Sequence, residues 1–75
     1  MTTSELQHLL VAKLLRQHGG TQRGWRLAIG PVTVHDRATH PHCNWSVAPT
    51  GTAGQIGRIE RLLDDVRLEY PLVVR

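Results

Sequence analysis

The chain has 75 residues, with nine Lys and Arg, six Asp and Glu, five His and a single Cys. A chain of this length buries only about 60% of the surface that its unfolded form exposes, so we expect one domain spanning residues 1–75 with one small core. There is no room for a deep active-site cleft between domains, which disfavours an enzyme. One cysteine cannot form an internal disulfide, and no stretch has the pattern of a signal peptide or a membrane span. We therefore expect a cytoplasmic protein without membrane contact.

The net charge of +3 is confined to the first half of the chain. Five basic residues stand against two acidic ones before Cys43, whereas basic and acidic residues balance from Cys43 onward. Net charge informs about solubility and non-specific association rather than about a particular partner. Any contact with a polyanion is expected to use the first half.

A first helix is predicted from Ser4 to His18. Capping-box spacing is present at Ser4 and, two residues earlier, at Thr2. Leucines at helical spacing form an apolar stripe typical of a helix that packs on a core. The Gly19-Gly20 pair supplies the backbone freedom that commonly ends a helix.

The middle of the chain alternates apolar and polar residues, which favours strands. Gly30-Pro31 is expected to make a tight hairpin between the first two strands, with a bulge in one long strand as the alternative. The connection from Arg37 to His42 then leads to the third strand. The three strands are predicted at residues 25–29, 32–35 and 44–47.

A second helix is predicted from Ala53 to Glu69. A second capping-box spacing begins at Thr52, an apolar stripe follows, and Pro71 ends the helix. The tail Leu72–Val74 is apolar and β-prone. It is expected to dock on the sheet edge or to form an oligomer contact, because an exposed β-branched edge promotes association.

The predicted order is therefore α-β-β-β-α, an α+β domain with two helices packed on one face of a three-stranded antiparallel sheet. This order is similar to that of the double-stranded-RNA-binding domain. That family carries a lysine cluster at the start of its second helix, and residues 52–58 contain no lysine. The similarity is thus one of topology. A simple meander would bring Arg23 close to His40 and His42, at the end of the sheet opposite the turn before the second helix.

The segment from His35 to Cys43 holds three histidines, the only cysteine and one aspartate. Imidazole and thiolate are preferred zinc ligands, and an open three-ligand site from His35, His40 and His42 is sterically feasible. The alternative is that the histidines line a surface loop and that Cys43 is a small buried hydrophobe. Protonation of these histidines would add positive charge, so we expect association to depend on pH in the mildly acidic range.

Two glycines lie on the outer side of the second helix. An exposed glycine inside a helix costs about 1 kcal/mol relative to alanine. Either the helix begins near Arg58, or a partner approaches the helix backbone closely. In the second case the partner face comprises Gly54, Gly57, Arg58, Arg61 and Leu68.

The sequence allows two positions for the tryptophan side chains. Trp25 and Trp45 belong either to the core or, beside Arg26 or Arg37, to an outward stacking platform for bases.

From these patterns we expect a small non-catalytic binding module that contacts a protein partner and also associates with itself. The first alternative is a nucleic-acid-binding module that uses the basic N-terminal half, and the second is a metal-binding site, with zinc as the ion, in the segment from His35 to Cys43. The candidate binding residues are Arg23, Arg26, Arg37, His40, His42 and Trp45.

Overall fold

The computed structural model describes all 75 residues, Met1 to Arg75. It contains three helices and one two-stranded antiparallel sheet, so the α+β class is confirmed, but the sheet lacks the first of the three predicted strands. The extra helix also removes the likeness in element order to the double-stranded-RNA-binding domain. The elements are α1 (Thr3–His18), α2 (Gln22–Ile29), β1 (Thr33–Val34), β2 (Trp45–Ser46) and α3 (Ala53–Glu69).

A capping box at Thr2 begins α1, so the earlier of the two candidate caps is used. The Thr2 hydroxyl accepts the Glu5 N–H (3.1 Å), and the Glu5 carboxylate accepts the Thr2 N–H (3.0 Å). The hydrogen bond from the Thr2 backbone, followed by that with the Thr2 side chain, lowers the pKa of the Glu5 carboxyl. The helix ends at Gly19, whose φ of 74° favours glycine and whose N–H donates to the Leu15 carbonyl.

The first predicted strand is wrong, because that part of the chain forms α2. The Thr21 hydroxyl caps the helix by accepting a backbone N–H three residues later. Its buried residues are Trp25, Ala28 and Ile29, at the i, i+3, i+4 spacing of a helix face. Alternation would instead bury Leu27, which is 68% exposed. Burial of Trp25 and Ile29 fits both a helix and a strand. Burial of Ala28 and exposure of Leu27 fit only a helix.

Gly30 ends α2 and does not form the predicted hairpin with Pro31. It has a φ of 68°, and its N–H donates to the Arg26 carbonyl oxygen at 3.0 Å. The chain then enters β1, with no strand before it to pair through a tight turn.

The second and third predicted strands do pair, over a shorter length than expected. β1 and β2 are antiparallel, with Thr33 opposite Ser46 and Val34 opposite Trp45. The connection between them contains the histidine-rich segment. We call this unit, residues 33–46, the histidine hairpin.

The last helix has the predicted bounds. Thr52 and Gln55 form a reciprocal capping box, with distances of 3.1 and 2.9 Å. The helix stops before Tyr70, whose N–H donates to the Val66 carbonyl oxygen at 2.8 Å. Because the helix begins well before Arg58, both of its glycines lie inside it.

One apolar core joins all of these elements. Each helix buries one face in it, and β2 and the C-terminal tail add the remaining residues. No helix has the length and apolar character needed to cross a membrane. The core residues are Leu6, Leu10, Val11, Leu14, Trp25, Ala28, Ile29, Trp45, Val47, Ile59, Leu62, Leu63, Val66 and Val73.

Candidate binding surfaces

Asn44 joins the histidine hairpin to the C-terminal tail. Its side-chain Nδ2 donates to the Val73 carbonyl oxygen (2.7 Å), and its Oδ1 accepts the Val73 N–H (2.8 Å). Its backbone N–H donates to Pro71, and its carbonyl oxygen accepts the His35 N–H. Asn44 is 3% exposed and is the only buried polar residue. The side-chain amide of Asn44 thus makes the two hydrogen bonds to the Val73 backbone that a neighbouring strand would otherwise make.

The start of the chain occupies the other side of the tail. Val74 donates to the Met1 carbonyl oxygen and accepts the Thr3 N–H, both at 2.9 Å, which makes a parallel bridge between Thr2 and Val74. The tail therefore docks through Asn44 and the N-terminus and does not extend the two-stranded sheet. Val73 points into the core, whereas Leu72 and Val74 are exposed. Strand addition by another chain is blocked at Val73 and Val74, but the apolar side chains on either side of Val73 remain accessible.

Met1, Leu72 and Val74 form an exposed group that we call the tail patch. Their exposed fractions are 41%, 40% and 54%. Leu68, in the last turn of α3, is 85% exposed and directly precedes this segment. Leu68 is thus separated from Leu72 by only three residues of the chain.

The outer face of α3 leads towards the tail patch. A Cβ atom built on Gly57 would meet nothing within 4 Å, and one on Gly54 would meet only the Thr52 hydroxyl, at 3.9 Å. Neither glycine is required by packing within the chain. Arg58 and Arg61 on the same helix are exposed. The glycines therefore leave open space beside the helix backbone.

Both tryptophans belong to the core. The indole N–H of Trp25 donates to the Gly19 carbonyl oxygen (2.7 Å), and that of Trp45 donates to the Tyr70 carbonyl oxygen (2.8 Å). The Arg67 guanidinium carbon lies 5.6 Å from the centre of the Trp45 ring. Trp45, a candidate binding residue, is therefore covered, and neither indole offers an outward stacking platform.

The histidine hairpin brings two of the three candidate metal ligands together. The rings of His35 and His40 stack, with centroids 4.3 Å apart and planes 20° from parallel. His35 Nε2 lies 2.7 Å from the Ser46 hydroxyl, and His40 Nδ1 lies 2.9 Å from the Thr39 hydroxyl. Each imidazole thus has one ring nitrogen engaged within the chain.

The other polar residues of the hairpin are less closely grouped. His42 and Arg37 are exposed, and neither side chain makes a hydrogen bond. The thiol of Cys43 is half-buried and donates weakly to the Trp45 carbonyl oxygen, at 3.4 Å. No three His, Cys, Asp or Glu side chains are placed to hold one ion. The histidine site therefore offers a stacked pair in place of the expected three-ligand set.

A groove of about 330 Å³ lies where the turn between α1 and α2 meets the start of α3. Because α2 takes the place of the first predicted strand, the three-stranded meander that would group Arg23 with His40 and His42 is wrong. Arg23 lies on α2, next to Gly24, which lines this groove, and the first turns of α3 line its other side. The lining residues are His18, Gly19, Gly20, Thr21, Gly24, Trp25, Gln55 and Arg58.

Charge is segregated along the fold. Asp36 is the only acidic residue between Leu6 and Ile59, a span that includes most of α1, all of α2 and the hairpin. Helix α3 carries four of the other five acidic residues, all from Glu60 onward. These four are Glu60, Asp64, Asp65 and Glu69.

No known protein family matches this chain, and no curated protein or solved structure was found to be similar to it. The chain's own surfaces are therefore the basis for inferring its function. They comprise a basic surface around α2 and an apolar and acidic surface at the end of α3.

Proposed function

We propose that this chain is a non-catalytic protein-binding module that associates with itself through the tail patch and Leu68. One observation carries the proposal. Five large apolar side chains are exposed, and four of them lie at the end of α3 and in the tail patch. Exposed apolar residues scattered singly are normal on a soluble protein, whereas a contiguous group is typical of an interaction site.

The backbone contacts of the tail favour association through side chains. Asn44 and the first residues of the chain already satisfy the N–H and C=O groups of Val73 and Val74. A second copy would therefore bury Leu72 and Val74 without pairing with their strand. Burial of an apolar side chain contributes about 1.5–3 kcal/mol when it is complete. A symmetric contact would gain this from both copies.

The outer face of α3 extends the same surface. The open space at Gly54 and Gly57 allows a partner to approach the helix backbone more closely than a side chain would permit. Each of these glycines lowers the stability of the helix by about 1 kcal/mol relative to alanine. Close contact with a partner would compensate for this loss. Arg58 and Arg61 would supply the polar part of that contact.

The acidic residues around Leu68 determine how association responds to salt. Asp65 and Glu69 flank Leu68 on α3 without an ion pair, so a symmetric contact at Leu68 brings like charges together. Salt screens this repulsion while leaving apolar burial intact. Self-association is therefore expected to strengthen as ionic strength rises.

Sedimentation velocity over a concentration series, at low and high salt, tests the proposal. The wild-type chain should show a concentration-dependent dimer that is more populated at high salt. The double substitution Leu72→Asp and Val74→Asp should abolish it. Leu27→Asp is the matched control, because Leu27 is equally apolar and exposed but lies on α2. A chain that stays monomeric at the highest concentration in both salts would contradict the proposal.

A metal-binding function remains the second alternative, and the stacked pair of His35 and His40 favours it. Their rings present two imidazoles side by side, and histidine is the commonest metal ligand. A bound ion would need further ligands from His42, a water molecule or a second chain.

A further inference from the structure

We propose that the outer face of α2 binds double-stranded DNA, with α2 placed in the major groove. This function is separate from self-association because it uses a different surface. Helix α2 exposes four residues over about 140° of its circumference, at 3.6 residues per turn. They are Gln22, Arg23, Arg26 and Leu27, and we call them the α2 face.

The fold holds this face rigidly outward. On the opposite side of the helix, Trp25, Ala28 and Ile29 are buried in the core. The Trp25 indole is hydrogen bonded to the turn before α2, and the caps at Thr21 and Gly30 close both ends of the helix. The helix backbone that carries the α2 face is therefore already ordered before binding.

The charges of the α2 face have no partner within the chain. Neither Arg23 nor Arg26 makes a side-chain hydrogen bond or an ion pair, and the only salt bridge joins Arg67 to Asp64 on α3. The groove beside the start of α2 adds His18 and contains no acidic residue.

The elements next to α2 in the chain are equally poor in acid, and the acidic residues of α3 begin at Glu60. Helix α1 contributes Lys13 and Arg16 to the acid-free stretch, and its one acidic residue, Glu5, lies in its first turn, at the other end of the helix. In the hairpin, the carboxylate of Asp36 accepts the Ala38 N–H within its own turn. The α2 face and the acid-poor stretch of sequence around it therefore complement a polyanion in charge, and neutralising phosphates releases their counterions.

Duplex DNA fits the α2 face better than other nucleic acids. Proteins that bind single strands commonly stack bases on exposed aromatic rings, and both tryptophans here are buried. The major groove of duplex RNA is too narrow for side chains to read, whereas that of DNA is about 12 Å wide and admits a helix. The eight residues of α2 span about 12 Å.

The residue types of the α2 face suit this groove. Arg pairs with guanine edges, Gln with adenine edges, and an apolar side chain such as Leu27 can contact the thymine methyl group. Two helices joined by a short glycine-containing turn are also the arrangement by which many DNA-binding proteins present a helix. Here Gly19, Gly20 and Thr21 form that turn.

Fluorescence polarisation with a labelled DNA duplex of mixed sequence measures the contribution of the α2 face. At low salt the wild-type chain should bind, and the substitution pair Arg23→Gln and Arg26→Gln should weaken binding at least tenfold. The slope of log K against log salt should become shallower, by about 0.9 for each of the two arginines that neutralises a phosphate. Both arginines are exposed and unpaired, so far-UV circular dichroism should show an unchanged fold.

The matched control is the pair Arg37→Gln and Arg75→Gln, which removes the same charge from the hairpin and the tail. It should change affinity less than threefold. If both pairs weaken binding equally, the effect is one of net charge and the proposal is wrong. If the α2 pair instead abolishes self-association and leaves DNA binding intact, the α2 face is a protein surface and the proposal is again wrong.

Modified duplexes test the placement in the groove. Glucosylated hydroxymethylcytosine fills the major groove, so binding to such DNA should be at least tenfold weaker. An RNA duplex of the same sequence should also bind at least tenfold more weakly. Equal affinity for the glucosylated duplex or for the RNA duplex would overturn the proposal.

Discussion

Substitution of Asn44 should reveal how strongly its side chain holds the tail. Asn44→Ala removes two hydrogen bonds of 2.7 and 2.8 Å and leaves the N–H and C=O of Val73 without partners. Val73 is 3% exposed, so water cannot readily replace them. Each buried unsatisfied group costs about 1–3 kcal/mol, which gives a loss of about 2–6 kcal/mol. At about 0.05–0.15 kcal/mol per residue, this chain has only about 4–11 kcal/mol in total.

Urea unfolding followed by tryptophan fluorescence measures this loss, because both indoles are buried. Gln17→Ala is the control: Gln17 is exposed on α1 and makes no side-chain hydrogen bond, so the change should stay within about 0.5 kcal/mol. A loss of less than about 1 kcal/mol for Asn44→Ala, with an unchanged dependence on urea, would refute the assigned role of the amide.

Asn44→Asp adds a test through pH. A protonated carboxyl at this position can accept the Val73 N–H and donate to the Val73 carbonyl oxygen, as the amide does. An ionised carboxylate has no proton to donate to the Val73 carbonyl oxygen. Burial also raises the pKa of this carboxyl in the folded state. Stability that depends on a raised pKa is present at low pH and is lost as the pH rises. The deficit of Asn44→Asp relative to the wild type should therefore be smaller near pH 4 than near pH 7, and an equal deficit would contradict the geometry.

Three further predictions concern single features. Gly57→Ala should stabilise the monomer by about 1 kcal/mol in urea unfolding, and a destabilisation would show that the space beside the helix is occupied. Because the pKa of the Glu5 carboxyl is lowered, the stability that this carboxylate contributes is present above the unfolded-state pKa and is lost as the pH falls through the folded-state pKa. A Glu5 carboxyl that titrates by NMR at its ordinary pKa would contradict the capping geometry. If the second alternative is correct, stoichiometric zinc should shift the imidazole signals of His35 and His40, and unmoved signals would reject it.

The long helices were predictable because several independent signals coincide in them. The capping box at Thr52, the apolar stripe and Pro71 all indicate the same α3 bounds, which the structure confirms. Helix α2 was not predictable by periodicity, because Trp25 and Ile29 satisfy both a period of two and a helical period in so short a segment. The decisive evidence is burial by α1 and α3, which depends on contacts distant in sequence.

Some features of the candidate surfaces can be predicted from the sequence, and others cannot. The concentration of positive charge ahead of Cys43 and the apolar tail are visible in the sequence itself. The role of Asn44 is not, since its side chain binds a residue 29 positions away and Asn has no pattern that indicates such a partner. Without α2, the exposed side of Arg23 and Arg26 could not be recognised as one helical face.

An NMR dilution series tests the central claim most directly, that the chain binds a protein through the end of α3 and the tail. Backbone amide spectra of the wild-type chain would be recorded from millimolar to micromolar concentration at high salt. We predict concentration-dependent shifts confined to the outer face of α3, from Gly54 to Leu68, and to Leu72, Val74 and their immediate neighbours, with none on the α2 face. Spectra that do not change with concentration, or shifts confined to α2, would contradict the claim.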